Sequence, residues 1–250
     1  MRRLPGVKFP HVHLSFDDHS VSSWHAAREL LSDYGAKAVF YVDSFHMLTE
    51  EELSMLSDLR DDGHVIGCHG KKHRDAIAYC RTFNINKYVD DEVLPAMEDM
   101  AGAGFEPSHF AFPYSHFDEL LYTTVNSIFC YVRPGNESHY YSGRHMVLSP
   151  YRFTKVEEPR EARIRQGDLQ GVLDGLKETA EMRRGISIIF HDIRPTGAQA
   201  HAGTHADAFV TPQELEAVLK ALRAEGYAYE TFAKACQYGD DPVDKPDSIV

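Results

Sequence analysis

Val12-His13-Leu14-Ser15-Phe16-Asp17-Asp18 alternates apolar and polar side chains and then stops on two carboxylates. Such alternation is the signature of a β-strand with one apolar face, and the paired aspartates mark a turn beyond it. If Val12, Leu14 and Phe16 pack against helices, then His13, Ser15 and Asp17 point the other way, into the interior. A strand whose inner face is polar at its carboxyl end suits the mouth of a barrel better than a flat sheet.

The chain downstream alternates between helical and extended patterns. Residues 22–34 place Trp24, Ala27, Leu30, Leu31 and Tyr34 on one helical face, with Gly35 as the stop. Residues 37–42 form a second strand. Thr49 and Glu52 make a capping box for a helix that buries Leu53, Leu56 and Leu59, and 64–68 is a third strand ending at His69. Residues 75–85 fit neither period, and 87–100 is helical with Pro95 as a break. A strand over 109–112 ends in Pro113-Tyr114, a helix covers 118–127, and a strand over 128–132 ends at Arg133-Pro134-Gly135. Residues 136–166 show no clean period beyond a short extended run at 145–148, a length that marks a functional loop or an unrecognised element. A helix over 169–184, an apolar strand over 186–190 ending in His191-Asp192, and a Gly-, Ala- and His-rich loop over 193–210 follow. Thr211-Pro212 opens a helix running to Glu225, and 227–232 is the last strand. Strands alternating with helices predict parallel strands covered by helices: an α/β barrel of seven or eight units, or a doubly wound sheet. One domain over residues 1–250 is expected, with its core over about 11–235 and a frayed tail.

The chain has 250 residues, of which 43% are hydrophobic and 26% charged, a composition that excludes disordered and fibrous classes. With 38 acidic and 26 basic residues the net charge is −12, a field that repels phosphate backbones and anionic lipid, so nucleic acid is not an expected partner. No stretch approaches the ~20 apolar residues of a membrane span. The first ten residues carry positive charge without an apolar run, so the expected compartment is the cytoplasm. Cys68, Cys80, Cys130 and Cys236 are too widely spaced for a thiolate zinc cluster or a disulfide framework. The unusual feature is 15 histidines, the side chain most used for metal ligation and proton transfer near neutral pH.

The reactive side chains gather at strand ends. Asp17-Asp18, His69 with His73, Pro113-Tyr114, Arg133 and His191-Asp192 each follow a predicted strand, and in parallel α/β folds those carboxyl ends form the active-site face. His69 and His73, four residues apart, would sit on one side of a helical turn, close enough to chelate one ion. Two histidines with one carboxylate leave open positions for water and substrate, the mark of a catalytic site. One of Asp17 and Asp18 can bind the metal while the other serves as general base. Competing explanations exist for each motif. Two of 15 histidines can fall four apart by accident, Asp-Asp pairs recur at 61–62, 90–91 and 240–241, and His191 can be a hydrogen-bonded core histidine. His201 and His205, also four apart, lie in a loop without strand context and read as solvated residues.

Four motifs in order, Ser15-Phe16-Asp17-Asp18-His19, His69-x-x-x-His73, Phe112-Pro113-Tyr114 and Ile189-Phe190-His191-Asp192, resemble those of the polysaccharide deacetylases with a NodB-type homology domain (carbohydrate esterase family 4). The resemblance spans residues 12 to about 232. It implies a distorted (β/α)7 barrel and metal-dependent hydrolysis of an N-acetyl group on a sugar. By position it makes Asp17 the general base, Asp18, His69 and His73 the metal ligands, His191 the general acid, and the Tyr114 backbone N–H the oxyanion donor. The chain also departs from the family pattern. Ala111 stands where an arginine partner of the base is usual, and Arg133 is the candidate replacement; the Asp-Trp motif is missing, since Trp24 is the only tryptophan. His19 stands in place of a glycine and Gly70 in place of a hydroxyl residue.

The expected function is removal of an N-acetyl or similar small acyl group from an amino sugar in surface polysaccharide or glycolipid biosynthesis. Hydrolysis of a non-sugar amide or formamide, or a catalytically impaired carbohydrate-binding role, are the alternatives; retention of Asp17 and His191 argues against the last. Zinc is the expected ion, with cobalt, nickel, iron and manganese open, because selectivity among N and O ligands depends on geometry and supply.

Overall fold

β1 (His11–Asp18) is buried along its whole length and is the hub of the sheet. It pairs in parallel with β2 (Ala38–Val42) on one side and with β7 (Gly185–Phe190) on the other. β3 (Val65–Cys68), β4 (His109–Phe110) and β5 (Tyr131–Val132) continue beyond β2, and β6 (Arg160–Arg163) lies outside β7. The order is therefore β5-β4-β3-β2-β1-β7-β6, with every pairing parallel. This computed structural model describes residues 10–133, 160–163, 169–181, 185–199 and 208–233. The predicted features at 136–159 and 164–168, His201, His205, Cys236 and the tail lie outside them.

Contacts across the sheet show that it curls. In a flat sheet β1 and β5 would stand about 19 Å apart, four strand spacings. Arg133, immediately after β5, nevertheless places Nη1 2.5 Å from Asp17 Oδ1 on β1. Only a sheet bent toward a barrel brings those ends together, and the fold is a distorted single-domain parallel α/β barrel. The two faces of β1 divide as its alternation predicts. Val12, Leu14 and Phe16 join the large core between sheet and helices, while His13, Ser15 and Asp17 face inward. β10 (Ala228–Tyr229) pairs with His11 and Val12 at the start of β1 and closes the amino-terminal end, and β8 (Asp192–Ile193) with β9 (Phe209–Val210) forms a separate parallel pair. The last strand is thus shorter than the predicted 227–232, and the predicted loop over 193–210 contains paired backbone at both ends.

Nine α-helices are seen among the described residues, and several correct the sequence reading. The single helix predicted over 22–34 is two, α1 (Val21–Ala26) and α2 (Arg28–Asp33), parted at Ala27, whose N–H bonds back to the Trp24 carbonyl at 3.1 Å in a tightened turn. α3 (Glu50–Asp61) has the predicted Thr49–Glu52 capping box. The ambiguous stretch forms α4 (Ala76–Thr82), capped by Asp75. The helix predicted over 87–100 is α5 (Ile85–Tyr88), a π-helical turn over Val89–Val93, and α6 (Leu94–Gly102). Proline lacks an N–H and its ring collides with the carbonyl four residues back, so the wider turn before Pro95 accommodates it without ending the helix. α7 (Glu119–Asn126), α8 (Leu169–Glu181) and α9 (Pro212–Ala224) follow, the last opened by a Thr211–Glu214 capping box. Among the described residues no helix is long and apolar enough to cross a membrane.

Candidate active site

The carboxyl ends of β1, β3, β5 and β7 converge on one mouth. Asp17 and Asp18 are both 4% exposed, and burial alone would push their carboxyls up. Their neighbours reverse that. Arg133 clasps Asp17 in a two-pronged ion pair, Nη1 to Oδ1 at 2.5 Å and Nη2 to Oδ2 at 2.7 Å, and holds it well below the usual carboxylate range with help from His69. A planar guanidinium matched to a carboxylate in this way fixes orientation as well as charge. Arg133 is itself held by Ser15 Oγ at 3.0 Å and by the Tyr41 ring, 4.9 Å below it. Ala111 packs with Val39 and Tyr41 inside the barrel, and the cation beside Asp17 comes from the end of β5.

Asp18, His69 and His73 each offer one ligand atom, all within 4.8 Å of one another. His73 Nε2 lies 3.2 Å and His69 Nε2 3.9 Å from Asp18 Oδ1. For bonds of ~2.1 Å a tetrahedral ion needs ligand separations near 3.4 Å, which these distances bracket. The protonation of His69 fits as well. His69 Nδ1 lies 2.8 Å from the Ala111 carbonyl, which can only accept, so that nitrogen carries the proton and Nε2 presents its lone pair to the site. Burial lowers the His69 pKa, keeping the ring neutral as a ligand must be. Burial opposes but does not overcome the Asp18 hydrogen bond that raises His73. The donor set thus fits a divalent ion.

The two histidines do not sit on a helical turn. Residues 69–74 have no regular structure, and the rings meet because Gly70 (φ +90°) and His73 (φ +51°) both adopt left-handed backbone. The sequence spacing is right, but the geometry that makes it useful is a loop. Tyr114, also left-handed at φ +60°, lies in a turn after Pro113, and its half-exposed ring packs 4.7 Å from that of His73.

His191 follows β7 and is partly exposed. Its carbonyl accepts the Trp24 indole N–H at 2.6 Å, while its Nδ1 is buried with no hydrogen-bond partner among the described residues. The next residue is pinned: Asp192 accepts from Ser23 Oγ at 2.8 Å and from Arg194 Nη1 at 2.9 Å. His191 lies close enough to Asp17 and Asp18 for its charge to lower both. One polar group at the mouth escaped the sequence reading. Asp43, directly after β2, is buried and pairs with His19 Nδ1 at 2.6 Å; its place at a strand end was the signal that could have found it.

The polysaccharide deacetylase family model matches residues 6–128, which include the Asp17-Asp18, His69-His73 and Pro113-Tyr114 motifs. This chain resembles the polysaccharide deacetylases. Solved structures extend the likeness in fold past the matched segment. The chitin deacetylase of the fungal pathogen Colletotrichum lindemuthianum aligns over 92% of this chain and 89% of its own, with 14% identity and a TM-score of 0.59. The Xyl-CE4 domain of a multidomain xylanase from the hindgut metagenome of Trinervitermes trinervoides aligns over 92% and 91%, with 17% identity and a TM-score of 0.57. The catalytic domain of a peptidoglycan N-acetylglucosamine deacetylase from Eubacterium rectale aligns over 93% and 92%, with 16% identity and a TM-score of 0.57. No curated protein matches the sequence well enough to count as related.

Proposed function

We propose that this protein is a metal-dependent hydrolase that removes an acetyl, or similar small acyl, group from the nitrogen of an amino sugar carried on a surface polysaccharide or glycolipid. The observation that carries this reading is the juxtaposition of two unlike carboxylates on β1: Asp18 within ligand distance of His69 and His73, and Asp17 clasped by Arg133. A divalent ion, zinc being suited to two imidazoles and a carboxylate, would supply Lewis-acid polarisation of the amide carbonyl and of water. Asp17 takes a proton from the attacking water; Arg133 keeps that carboxylate ionised and aimed. The Tyr114 backbone N–H donates to the carbonyl oxygen as it gains negative charge, where a fixed donor contributes most. His191 protonates the departing amine, with Trp24 and the pinned Asp192 fixing the backbone that carries it.

A sugar-bearing substrate is supported by the surroundings. A cavity of about 680 Å3 adjoins the site, sharing His73 and Tyr114 and continuing over Tyr79 and Phe83. The exposed rings of Phe83 and Tyr114, on either side of the Asp75–His116 pair, 2.7 Å apart, offer apolar faces beside polar groups, as a pyranose ring requires. Acetate release from a panel of N-acetylated amino sugars and their oligomers tests the reading. Activity lost in Asp17→Asn, and zinc lost in Asp18→Ala, is the expected result. Zinc retained in full by Asp18→Ala would reject the metal site, and tight sugar binding without turnover would favour a binding protein.

A further inference from the structure

Glu92 lies in the π-helical turn between α5 and α6, and its side chain is completely buried although it sits in the acidic run Asp90-Asp91-Glu92. It is spent on one segment, the loop that carries the two histidines. Its Oε2 accepts the Lys72 N–H at 2.9 Å, its Oε1 lies 3.2 Å from Arg74 Nε, and its backbone carbonyl accepts the Lys71 N–H at 3.0 Å. The same carboxylate fills the space beside Gly70: a Cβ built there would stand 3.2 Å from Oε2. The loop has no regular structure, and the left-handed backbone of His73 costs about 1–3 kcal/mol for a residue other than glycine, so outside contacts are needed to hold it. The loop's other backbone anchors, His69 N–H to Val42 and Ser44 N–H to the Gly70 carbonyl, fix its first two residues. Beyond them the Lys71 ammonium pairs with Asp99 and the Arg74 guanidinium lies over the Tyr79 ring, but the backbone N–H groups of Lys71 and Lys72 are held by Glu92. The widened turn is what brings it underneath, and π turns of this kind collect at functional sites.

We infer that Glu92 is a positioning residue for metal binding: a carboxylate that touches no ligand atom of the site yet shapes the 70–74 loop so that His73 meets Asp18 and His69. This rests on the reading of Asp18, His69 and His73 as a metal site. It also gives a reason for glycine at position 70, where a side chain would compete with Glu92 for the same space.

Zinc dissociation constants measured by competition with a chromophoric chelator, at a temperature where each variant is folded, test it. Glu92→Ala removes the two side-chain tethers and should weaken zinc binding by about 10- to 100-fold, the usual cost of losing an outer partner of a metal ligand. Glu92→Gln keeps an acceptor for Lys72 and loses the charge that holds Arg74, so its loss should be smaller than that of Glu92→Ala. Val93→Ala, one residue on and fully buried in the core, should lower the melting temperature and leave the zinc constant unchanged. Zinc binding in both Glu92 variants equal to the parent, beside a normal loss in Asp18→Ala, overturns the role of Glu92 alone. Full zinc retention in Asp18→Ala overturns the site and this inference with it. Should Glu92→Ala fail to fold, parent-like zinc binding in Glu92→Gln together with Arg74→Ala decides against the proposal.

Discussion

His64, at the entry to β3 and outside the Asp18–His69–His73 cluster, allows the account of one proton to be worked through. Its Nδ1 accepts the Ala38 N–H at 3.0 Å, and its ring stands edge-on to Phe40 at 5.4 Å. Burial, reinforced by Lys37, lowers its pKa from 6.5 to about 4. Protonation in the folded state would set an N–H against the Ala38 N–H, so the native ring stays neutral while the unfolded chain takes up a proton below pH 6.5. The stability tied to this group is therefore complete above pH 6.5 and is lost as the pH falls from there toward 4. At 1.36 kcal/mol per pH unit for one proton, about 2 kcal/mol disappears between pH 8 and pH 5. That is a sizeable part of a typical net stability of about 5–15 kcal/mol. His64→Asn keeps an acceptor close to the position of Nδ1 and takes no proton. Urea unfolding of parent and variant at pH 8, 7, 6 and 5 should give stability curves that converge as the pH falls, the variant's being flatter by nearly one proton. Parallel curves across that range would refute the buried, neutral assignment.

Arg133→Met leaves Asp17 buried without its cation, a loss of about 3–5 kcal/mol for a broken interior pair; turnover should collapse while bound zinc, measured by metal analysis, is retained, and unchanged turnover would remove Arg133 from the site. Trp24→Phe keeps the apolar ring but loses the bond to the His191 carbonyl, costing about 1 kcal/mol; steady-state kinetics should show lower kcat with KM unchanged, and a change in melting temperature alone would make Trp24 purely structural. Gly67→Ala would place a Cβ 2.7 Å from the Tyr41 ring and 3.3 Å from His109 Cβ, so calorimetry should show a loss of roughly 1–3 kcal/mol, whereas an unaltered melting temperature would mean that the interior has slack.

Where the sequence was informative, local periodicity coincided with chain position. The two faces of β1 can be read from Val12 to Asp17 because a strand alternates by geometry, and most of the polar groups at the mouth were visible because they follow strands directly. The capping boxes at Thr49 and Thr211 are complete within four residues, so they too are legible. What could not be read depends on partners distant in the chain. The spacing of His69 and His73 suggested a helical turn, but spacing does not set φ, and the loop takes its shape from tethers that include Glu92 some twenty residues on. Glu92 itself is disguised by its acidic neighbours, and only a π turn, invisible to a 3.6-residue period, turns it inward. The exchange of Ala111 for Arg133 lies between these cases: the vacancy and a candidate were both visible, but the bidentate contact depends on the sheet's curl.

The histidine surplus resolves along the same inward row of β1. At its carboxyl end the row reaches the charged mouth; at its amino end it meets the closing segment after β10. There His13 Nδ1 lies 3.1 Å from the Glu230 carbonyl and His109 Nε2 lies 2.8 Å from that of Thr231. Carbonyls only accept, so both rings must donate, and burial lowers them to about 3 and about 4. Neutral imidazoles can fill this end, pack at a tilt against Tyr131 and Phe232, and satisfy carbonyls that aliphatic side chains would leave orphaned at a cost of about 1–3 kcal/mol each. One residue type therefore does opposite work at the two ends of one barrel. At the amino end its N–H groups tie the backbone after β10 to the interior; at the carboxyl end the same N–H, given to the Ala111 carbonyl, leaves the other nitrogen of His69 turned toward Asp18, where the proposed ion would sit. A count of histidines could not separate the two uses, because they differ only in what the far nitrogen of each ring faces.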